Sequence, residues 1–412
     1  MSTVITFLLF GPLACCLVEA GSKLAITVNK TRFYIGNERF FLSGANTAWV
    51  NYGADFGNNQ YEQSRQEFLY LLSNISDAGG NSMRTWVHVD GHTSPHFNST
   101  GYVIGLDKDG TFLADFGRYL DDARARNILV FATLWNGAVV NPQNGSLLEG
   151  LITDESKLQS YIDHALIPWV TAVKNHPAMG GWEIINEMEG LLITGERSHE
   201  PCFDTRFLVG STAGFAGERN HLKDLLRFLN WQTDAIRSVD PQALVTSGSW
   251  RQWSQSGALG GRNLYSDHCL LKAGGRPQGT LTFYSTHVYA ILDLFFWPDA
   301  AFKHVMTDYE LDKPLVLAEF SQAGGARMTI TDQFLWAYQK GSVRQRYSGA
   351  WSWQSVSSGG ASDTLKTQVK GIHSLKGSNN QTQGGRIAIH IQKTKSSWFV
   401  SRLLQWMISW FG

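Results

Sequence analysis

The 412-residue sequence lacks an excess of charge of either sign: 35 Lys and Arg stand against 35 Asp and Glu, a formal net charge of zero. Without an overall field to gather a polyanion, nucleic acid and anionic membrane surfaces are excluded as main partners, and a neutral partner is expected. Cysteine is scarce. Of four, Cys15 and Cys16 fall in the N-terminal stretch "MSTVITFLLFGPLACCLVEAGS". That stretch has the apolar length of a secretory signal peptide, and its Val18-Glu19-Ala20 end suits cleavage after Ala20, although the usual basic start is missing. Removal of residues 1–20 leaves Cys202 and Cys269, too few for a metal site built on cysteine. An even pair in an oxidising compartment reads as one disulfide, the alternative being two buried thiols. Sequons at Asn29, Asn74, Asn98, Asn144 and Asn380 agree with a secreted, extracellular protein. A membrane-spanning run is also missing at the C-terminus. There "WFVSRLLQWMISWFG" places Phe399, Leu403, Met407 and Phe411 on a helical stripe but is shorter and more polar than the ~20 apolar residues a span requires. It reads as a helix packed on the protein or lying at a lipid interface, and no stable membrane anchor is expected.

The chain is rich in apolar and aromatic residues: 43% hydrophobic composition, 15 Trp, 13 Tyr and 23 Phe. That supply is ample for a core and leaves rings to line a binding surface. Apolar β-rich runs alternate with amphipathic stretches. Strands are expected at 40–46, 82–89, 128–135, 180–186, 244–249, 282–289, 314–320 and 349–354. Between most of them lie helical patterns such as "SRQEFLYLLSNISDAG" and "LKDLLRFLNWQTDAIRSVD". Eight strands with intervening helices predict a (β/α)8 TIM barrel, with "LAITVNKTRFYIGNERFF" as a β-hairpin closing its bottom. A doubly wound sheet has little support, because no Gly-x-Gly-x-x-Gly turn follows the first strand.

Catalytic residues of such barrels sit where strands end at the C-terminal face. The fourth strand ends in Asn186-Glu187, the seventh in Ala318-Glu319, and the sixth carries His287 and Tyr289. Two carboxylates around one mouth suit glycosidic bond cleavage: one protonates the leaving oxygen, and the other attacks the anomeric carbon if the two lie about 5–5.5 Å apart. In "GGWEIINEMEG", regular alternation puts Glu183, Ile185 and Glu187 on one face, with Glu187 at the lip. Glu183, a layer deeper, reads as a buried partner for Arg84, and Glu189 as a solvated charge on the rim. On the second strand Arg84, Trp86, His88, Asp90 and His92 share one parity. Arg84 can reach Glu319 and hold it ionised. His88-x-Asp90-x-His92 has the spacing of metal ligands on an extended segment, which raises a metal-dependent hydrolase as an alternative; loop hydrogen bonding accounts for the same residues.

Taken together, "MRTW" with Arg84, "WEIINE" with Asn186 and Glu187, "THVY" with His287 and Tyr289, "LVLAEF" with Glu319 and "WSWQ" near the end resemble glycoside hydrolase family 5. Within it the set is similar to the endo-β-1,4-mannanases of the animal type, from about residue 25 to about residue 375. The resemblance implies a retaining enzyme that cleaves internal β-1,4 bonds of mannan, glucomannan or galactomannan and requires no metal or organic cofactor. Glu187 would be the acid/base and Glu319 the nucleophile, with Asn186 on the sugar 2-hydroxyl, Tyr289 near the nucleophile, His287 near the acid/base and Arg84 supporting Glu319. The floor tryptophan of the cleavage subsite would be Trp351 or Trp353, the latter favoured because it precedes Gln354. Trp135 in "LWNG" matches a third-strand aromatic of the mannanases, and Trp86 follows its strand as a further ring for substrate. The partner is then a β-mannan polysaccharide, with the protein a monomer. The catalytic domain would span 21–375, leaving 376–412 as an extension with no counterpart in the family. A β-1,4-glucanase (cellulase) on the same catalytic pair, or a non-catalytic carbohydrate-binding relative, are the competing readings; the second usually loses a carboxylate, and both are present.

Overall fold

The computed structural model describes residues 23–391 apart from 140–141, 293, 339–346, 355 and 357–361. The expected signal peptide and the 399–411 helical stripe lie outside the described residues. Eight parallel strands close into a barrel in chain order: Leu42–Asn46, Ser82–Val89, Leu129–Asn136, Met179–Asn186, Val245–Ser249, Tyr284–His287, Leu315–Glu319 and Gly349–Ser352, the last pairing with the first through Trp351↔Gly44. The residues along these strands are buried whichever face they point to. That is why they read as near-continuous apolar runs and not as alternating ones.

The helices pack outside. In Leu222–Val239 the buried Leu222, Leu225, Leu226, Leu229 and Ile236 recur at three- and four-residue spacing, so one stripe faces the sheet. Each such side chain contributes roughly 1.5–3 kcal/mol when fully buried. Inside the barrel, Trp351 packs at 4.8 Å on Phe131 and its Nε1 donates to Ser82 Oγ at 2.8 Å, filling the layer beneath the mouth. The N-terminal hairpin has a third strand. Ile26–Asn29, Arg32–Ile35 and Glu38–Phe40 form an antiparallel sheet whose second turn uses Gly36 at φ +60°, a conformation open to glycine.

The barrel unit continues past residue 375. Phe41 N–H donates to Arg386 O at 2.9 Å, Asn81 Nδ2 to Ile387 O at 2.9 Å, and Ile387 and Ile391 are buried. Cys202 and Cys269 form a disulfide that ties the loop after the fourth strand to the helix Asp267–Gly274.

Four neighbouring strand pairs of the barrel carry a register shift, and two of these shifts decide faces expected from regular alternation. Between the second and third strands the register runs from Trp86↔Thr133 to Val89↔Trp135, three residues against two, with Val89 at φ +58°. Between the fourth and fifth it runs from Glu183↔Thr246 to Gly248↔Asn186, again three residues against two. Each extra residue reverses the face of the residues after it.

Candidate active site

At the C-terminal mouth, Arg84 is the organising cation. Its Nη1 donates to Glu319 Oε1 at 2.7 Å and Asn46 Oδ1 at 2.8 Å, its Nη2 to Asn186 Oδ1 at 2.8 Å, and Nε and Nη2 grip Glu183. Burial opposes the charge, but Glu183 and Glu319 more than offset it and hold the guanidinium above its ordinary pKa. Arg84 is therefore a permanent cation with four hydrogen-bond partners, and Glu183 is its buried counter-ion one layer below the mouth.

Glu319, at the end of the seventh strand, accepts from Arg84 on one oxygen and from Tyr289 OH on the other at 3.0 Å. Glu187 stands across from it, and His287 Nδ1 lies 2.5 Å from Glu187 Oε1 and 3.5 Å from Glu319 Oε2. One oxygen of each carboxylate and one His287 nitrogen all fall within 4.8 Å of one another. Burial pushes the Glu187 carboxyl up to about 7; Arg84 pulls it down and Glu183 pushes it further up. Burial also holds Glu319 above its ordinary value, with Glu187 adding to the rise, but the Arg84 charge and its direct hydrogen bond limit it. The two carboxyls thus differ in kind. Glu319 touches a guanidinium; Glu187 does not, and 18% of its side chain opens to the cleft. Burial lowers the pKa of His287, which favours the neutral ring at neutral pH.

Glu187 reaches this position through its backbone. Alternation alone would align it with Ile185, which lies in the hydrophobic core. With the register shift, Asn186 joins Glu183 on the Arg84 side, and Glu187 sits in the left-handed region at φ 46°, ψ 53°. A non-glycine residue there costs on the order of 1–3 kcal/mol and persists only where its surroundings over-determine it.

The remaining expected residues separate into two groups. Trp353 packs on Trp86 at 5.5 Å and on Trp49 at 5.9 Å, forming an aromatic wall beside Arg84, whose guanidinium lies 5.5 Å from the Trp86 ring. Trp351 and Trp135 are corrections, since neither has any exposed surface. Trp351 shares a face with Trp353 but lies two residues, one barrel layer, deeper. Trp135 points outward beyond the register shift, donates from Nε1 to Gln232 Oε1 at 3.0 Å and packs on Tyr161 and His88. His88 is reversed in the same way, enclosed by Phe112, Trp135, Tyr161 and Trp169, with burial lowering its pKa to about 3. It cannot converge with Asp90 and exposed His92 on one ion, which removes the spacing that suggested a metal site.

Glu189 is also corrected. It is wholly buried, and its Oε1 accepts from Ser249, Ser254 and Tyr265 hydroxyls. Three contacts made by residues with no sequence-based assignment complete the site. Asn136 Oδ1 accepts from Asn186 Nδ2 at 3.0 Å, Asn136 Nδ2 donates to Tyr52 OH at 3.2 Å, and Asn46 receives Arg84. Asn46 and Asn136 each end an apolar strand in a primary amide, the same signal that marked Asn186. On the Glu187 side, a pocket of about 190 Å³ is lined by Glu187, Trp250, Arg251, Tyr289 and Trp297.

The chain is 46% identical over 376 residues to the mannan endo-1,4-β-mannosidase of Mytilus edulis, covering 91% of this chain and 99% of that protein. The chain belongs to the animal-type mannan endo-1,4-β-mannosidases of glycoside hydrolase family 5. The endo-mannosidase of Cryptopygus antarcticus is 39% identical over 90% of this chain and 96% of its own length. The crystal structure of endo-1,4-β-mannanase from Eisenia fetida superposes with a TM-score of 0.85 at 43% identity, over 89% of this chain and 99% of that one. No protein-family model matches the sequence. In this mannosidase the correction to Trp135 places a third-strand aromatic in the shell between barrel and helices, not in the cleft.

Proposed function

We propose that the protein is a secreted, monomeric endo-β-1,4-mannanase that hydrolyses internal bonds of mannan, glucomannan or galactomannan by double displacement. The observation that carries the mechanism is the approach of Glu187 and Glu319 oxygens to within 4.8 Å. An approach that close supports the retaining arrangement, with carboxyl groups ~5–5.5 Å apart, over the inverting one, with carboxyl groups ~6.5–9.5 Å apart. A Glu319 oxygen attacks the anomeric carbon while Glu187 passes its proton to the departing glycosidic oxygen. The C–O bond to the leaving sugar breaks as the bond to Glu319 forms. Glu187, now ionised, removes a proton from water, and that water's oxygen displaces Glu319 with net retention.

Arg84 and Tyr289 keep the Glu319 charge available for attack. Asn186 has its Oδ1 held by Arg84 and one amide hydrogen held by Asn136. Its second amide hydrogen is left for the sugar 2-hydroxyl. Trp353 offers a flat apolar face for the sugar in the cleavage subsite, and the Glu187-lined pocket takes the leaving side.

Secretion is supported by the Cys202–Cys269 disulfide, a bond that persists in oxidising compartments, and by exposed sequon residues Asn29, Asn98 and Asn380 available to glycosylation. Among the described residues no helix is long and apolar enough to cross a membrane. N-terminal sequencing of protein recovered from culture medium is expected to start at Gly21; retention inside the cell would overturn secretion.

Reducing-sugar release from mannan, glucomannan and carboxymethyl cellulose, measured side by side, tests the substrate. Mannan cleavage is expected, and cutting of cellulose without mannan would establish the glucanase alternative. The pH profile depends on the same site. Glu187 must be protonated for the first step and its pKa is raised to about 7, so kcat/KM falls as pH rises through about 7. Glu187→Gln, which cannot ionise there, is expected to lose that alkaline limb; its survival in the variant would assign the limb to another group.

A further inference from the structure

Two residues beyond the proposed acid/base lies a carboxyl that the mechanism does not use. Glu189 is fully buried, no Lys or Arg among the described residues pairs with it, and its Oε2 has no hydrogen-bond partner. Its Oε1 accepts from three hydroxyls, Ser249 at 2.8 Å, Ser254 at 2.5 Å and Tyr265 at 2.6 Å. Ser249 ends the fifth strand, and Ser254 and Tyr265 lie in the segment that leaves it. Burying a carboxyl without a counter-ion is costly, so a site that keeps one, and converges three donors on a single oxygen, points to a specific task.

The backbone shows what that task is. Glu187 holds a left-handed conformation that needs restraint on both sides. Upstream, its N–H donates to Gly248 O at 2.7 Å; downstream, Gly190 N–H returns to Glu187 O at 2.9 Å and Gly214 N–H donates to Glu189 O at 2.8 Å. The Glu189 side chain adds the tie that fixes the turn to Ser249, the residue after Gly248. The short helical turn Met188–Leu191 is thus clamped to the fifth strand on either side of the Glu187 Cα.

We infer that Glu189 is a positioning residue: it anchors the left-handed turn that carries Glu187 and thereby aims the acid/base carboxyl at the leaving oxygen. No hydrogen bond or ion pair joins it to Glu319 or Arg84; its hydrogen bonds hold the turn that carries Glu187, so its influence falls on proton donation more than on nucleophilic attack. The inference rests on the acid/base assignment of Glu187.

The test separates those two steps by leaving group. Dinitrophenolate departs without a proton, so kcat/KM on 2,4-dinitrophenyl β-mannobioside needs Glu319 but little help from Glu187, whereas mannan needs both. Glu189→Gln keeps the shape and an acceptor oxygen but replaces the second carboxyl oxygen with an amide nitrogen, which brings two N–H donors into the buried site. It is expected to lose roughly 10- to 100-fold in kcat/KM on mannan while changing the dinitrophenyl substrate by less than about 3-fold. Tyr265→Phe, which deletes one donor and leaves Glu189 in place, should shift the same ratio in the same direction by a smaller amount. Equal losses on both substrates, or no loss on either, in folded Glu189→Gln would overturn the inference. If that variant does not fold, an unchanged ratio in Tyr265→Phe overturns it. Glu187→Gln is the control for the underlying reading. If it fails to show the split, the acid/base assignment has failed, and if it shows the split and the Glu189 and Tyr265 variants do not, only the positioning role has.

Discussion

Glu319→Ala is expected to lower kcat on mannan by roughly 10^5-fold or more, the scale reached when an enzyme's nucleophile is deleted. The size reflects the site's geometry. No other carboxylate is placed to substitute for it, since Glu183 is a layer deeper and Glu187 is the proposed acid. The fold should survive, because Arg84 keeps Glu183, Asn46 and Asn186 as partners and is not left as an unpaired buried cation. Circular dichroism and thermal melting close to those of the wild type would establish that the loss is chemical.

A second measurement distinguishes a nucleophile from a residue that is merely important. In the space vacated by the side chain, added azide attacks the dinitrophenyl mannobioside directly and yields the α-mannosyl azide. In Glu187→Ala the covalent intermediate of the proposed double displacement is expected still to form, with azide displacing Glu319 from it to give the β-mannosyl azide. Substantial mannan turnover by Glu319→Ala, or the β-azide as its product, would sink the nucleophile assignment and with it the double displacement.

Arg84→Ala is expected to damage stability and chemistry together. Removing the cation strands two carboxylates in a sealed layer, since Arg84 has no exposed surface and Glu183 and Glu319 have almost none. Breaking a buried ion pair from one side costs about 3–5 kcal/mol. Urea unfolding near neutral pH should show that loss. The pH profile supplies the chemical signature, with a definite sign. Arg84 lowers the pKa of both Glu187 and Glu319. Without it both carboxyls become harder to ionise, so the acidic limb, set by Glu319 losing its proton, and the alkaline limb, set by Glu187 losing its own, both move to higher pH. A purely structural role would lower activity without moving either limb. Arg84→Lys should fall between the two, since a point charge cannot serve Glu183, Glu319, Asn46 and Asn186 from one fork.

The barrel was largely readable in the amino-acid sequence, for a physical reason. A strand covered on both faces must be apolar throughout, and eight such runs separated by amphipathic helices have few ways to bury themselves other than closure. The expected strands at 82–89 and 180–186 match Ser82–Val89 and Met179–Asn186 to within a residue. The polar residues that end those runs were legible for the opposite reason. Asn186, Glu187 and Glu319 are costly where an apolar strand meets its lip, and the structure seats Asn186 and Glu319 on Arg84 with Glu187 across from Glu319.

The faces were not legible. Regular alternation put His88 on the face of Arg84, and the family resemblance put Trp135 among the substrate-binding residues. One extra residue between Trp86 and Val89 turns His88 outward among Phe112, Tyr161 and Trp169, and Trp135 packs against it in the same shell. A register shift depends on how neighbouring strands pair, and no local pattern in either strand records it. The same holds for Glu189. Its sequence neighbours resemble those of a rim residue, and only the return of the 249–265 segment over it supplies the hydroxyls that make burial tolerable.

The sequence by itself therefore determined the closed barrel, the two carboxylates and the arginine that holds Glu319, because apolar runs and costly polar ends are properties of single segments. Only the tertiary structure decided which way Glu187 faces, which tryptophans reach the cleft and what Glu189 holds. Those depend on left-handed backbone, strand register and donors contributed from tens of residues away.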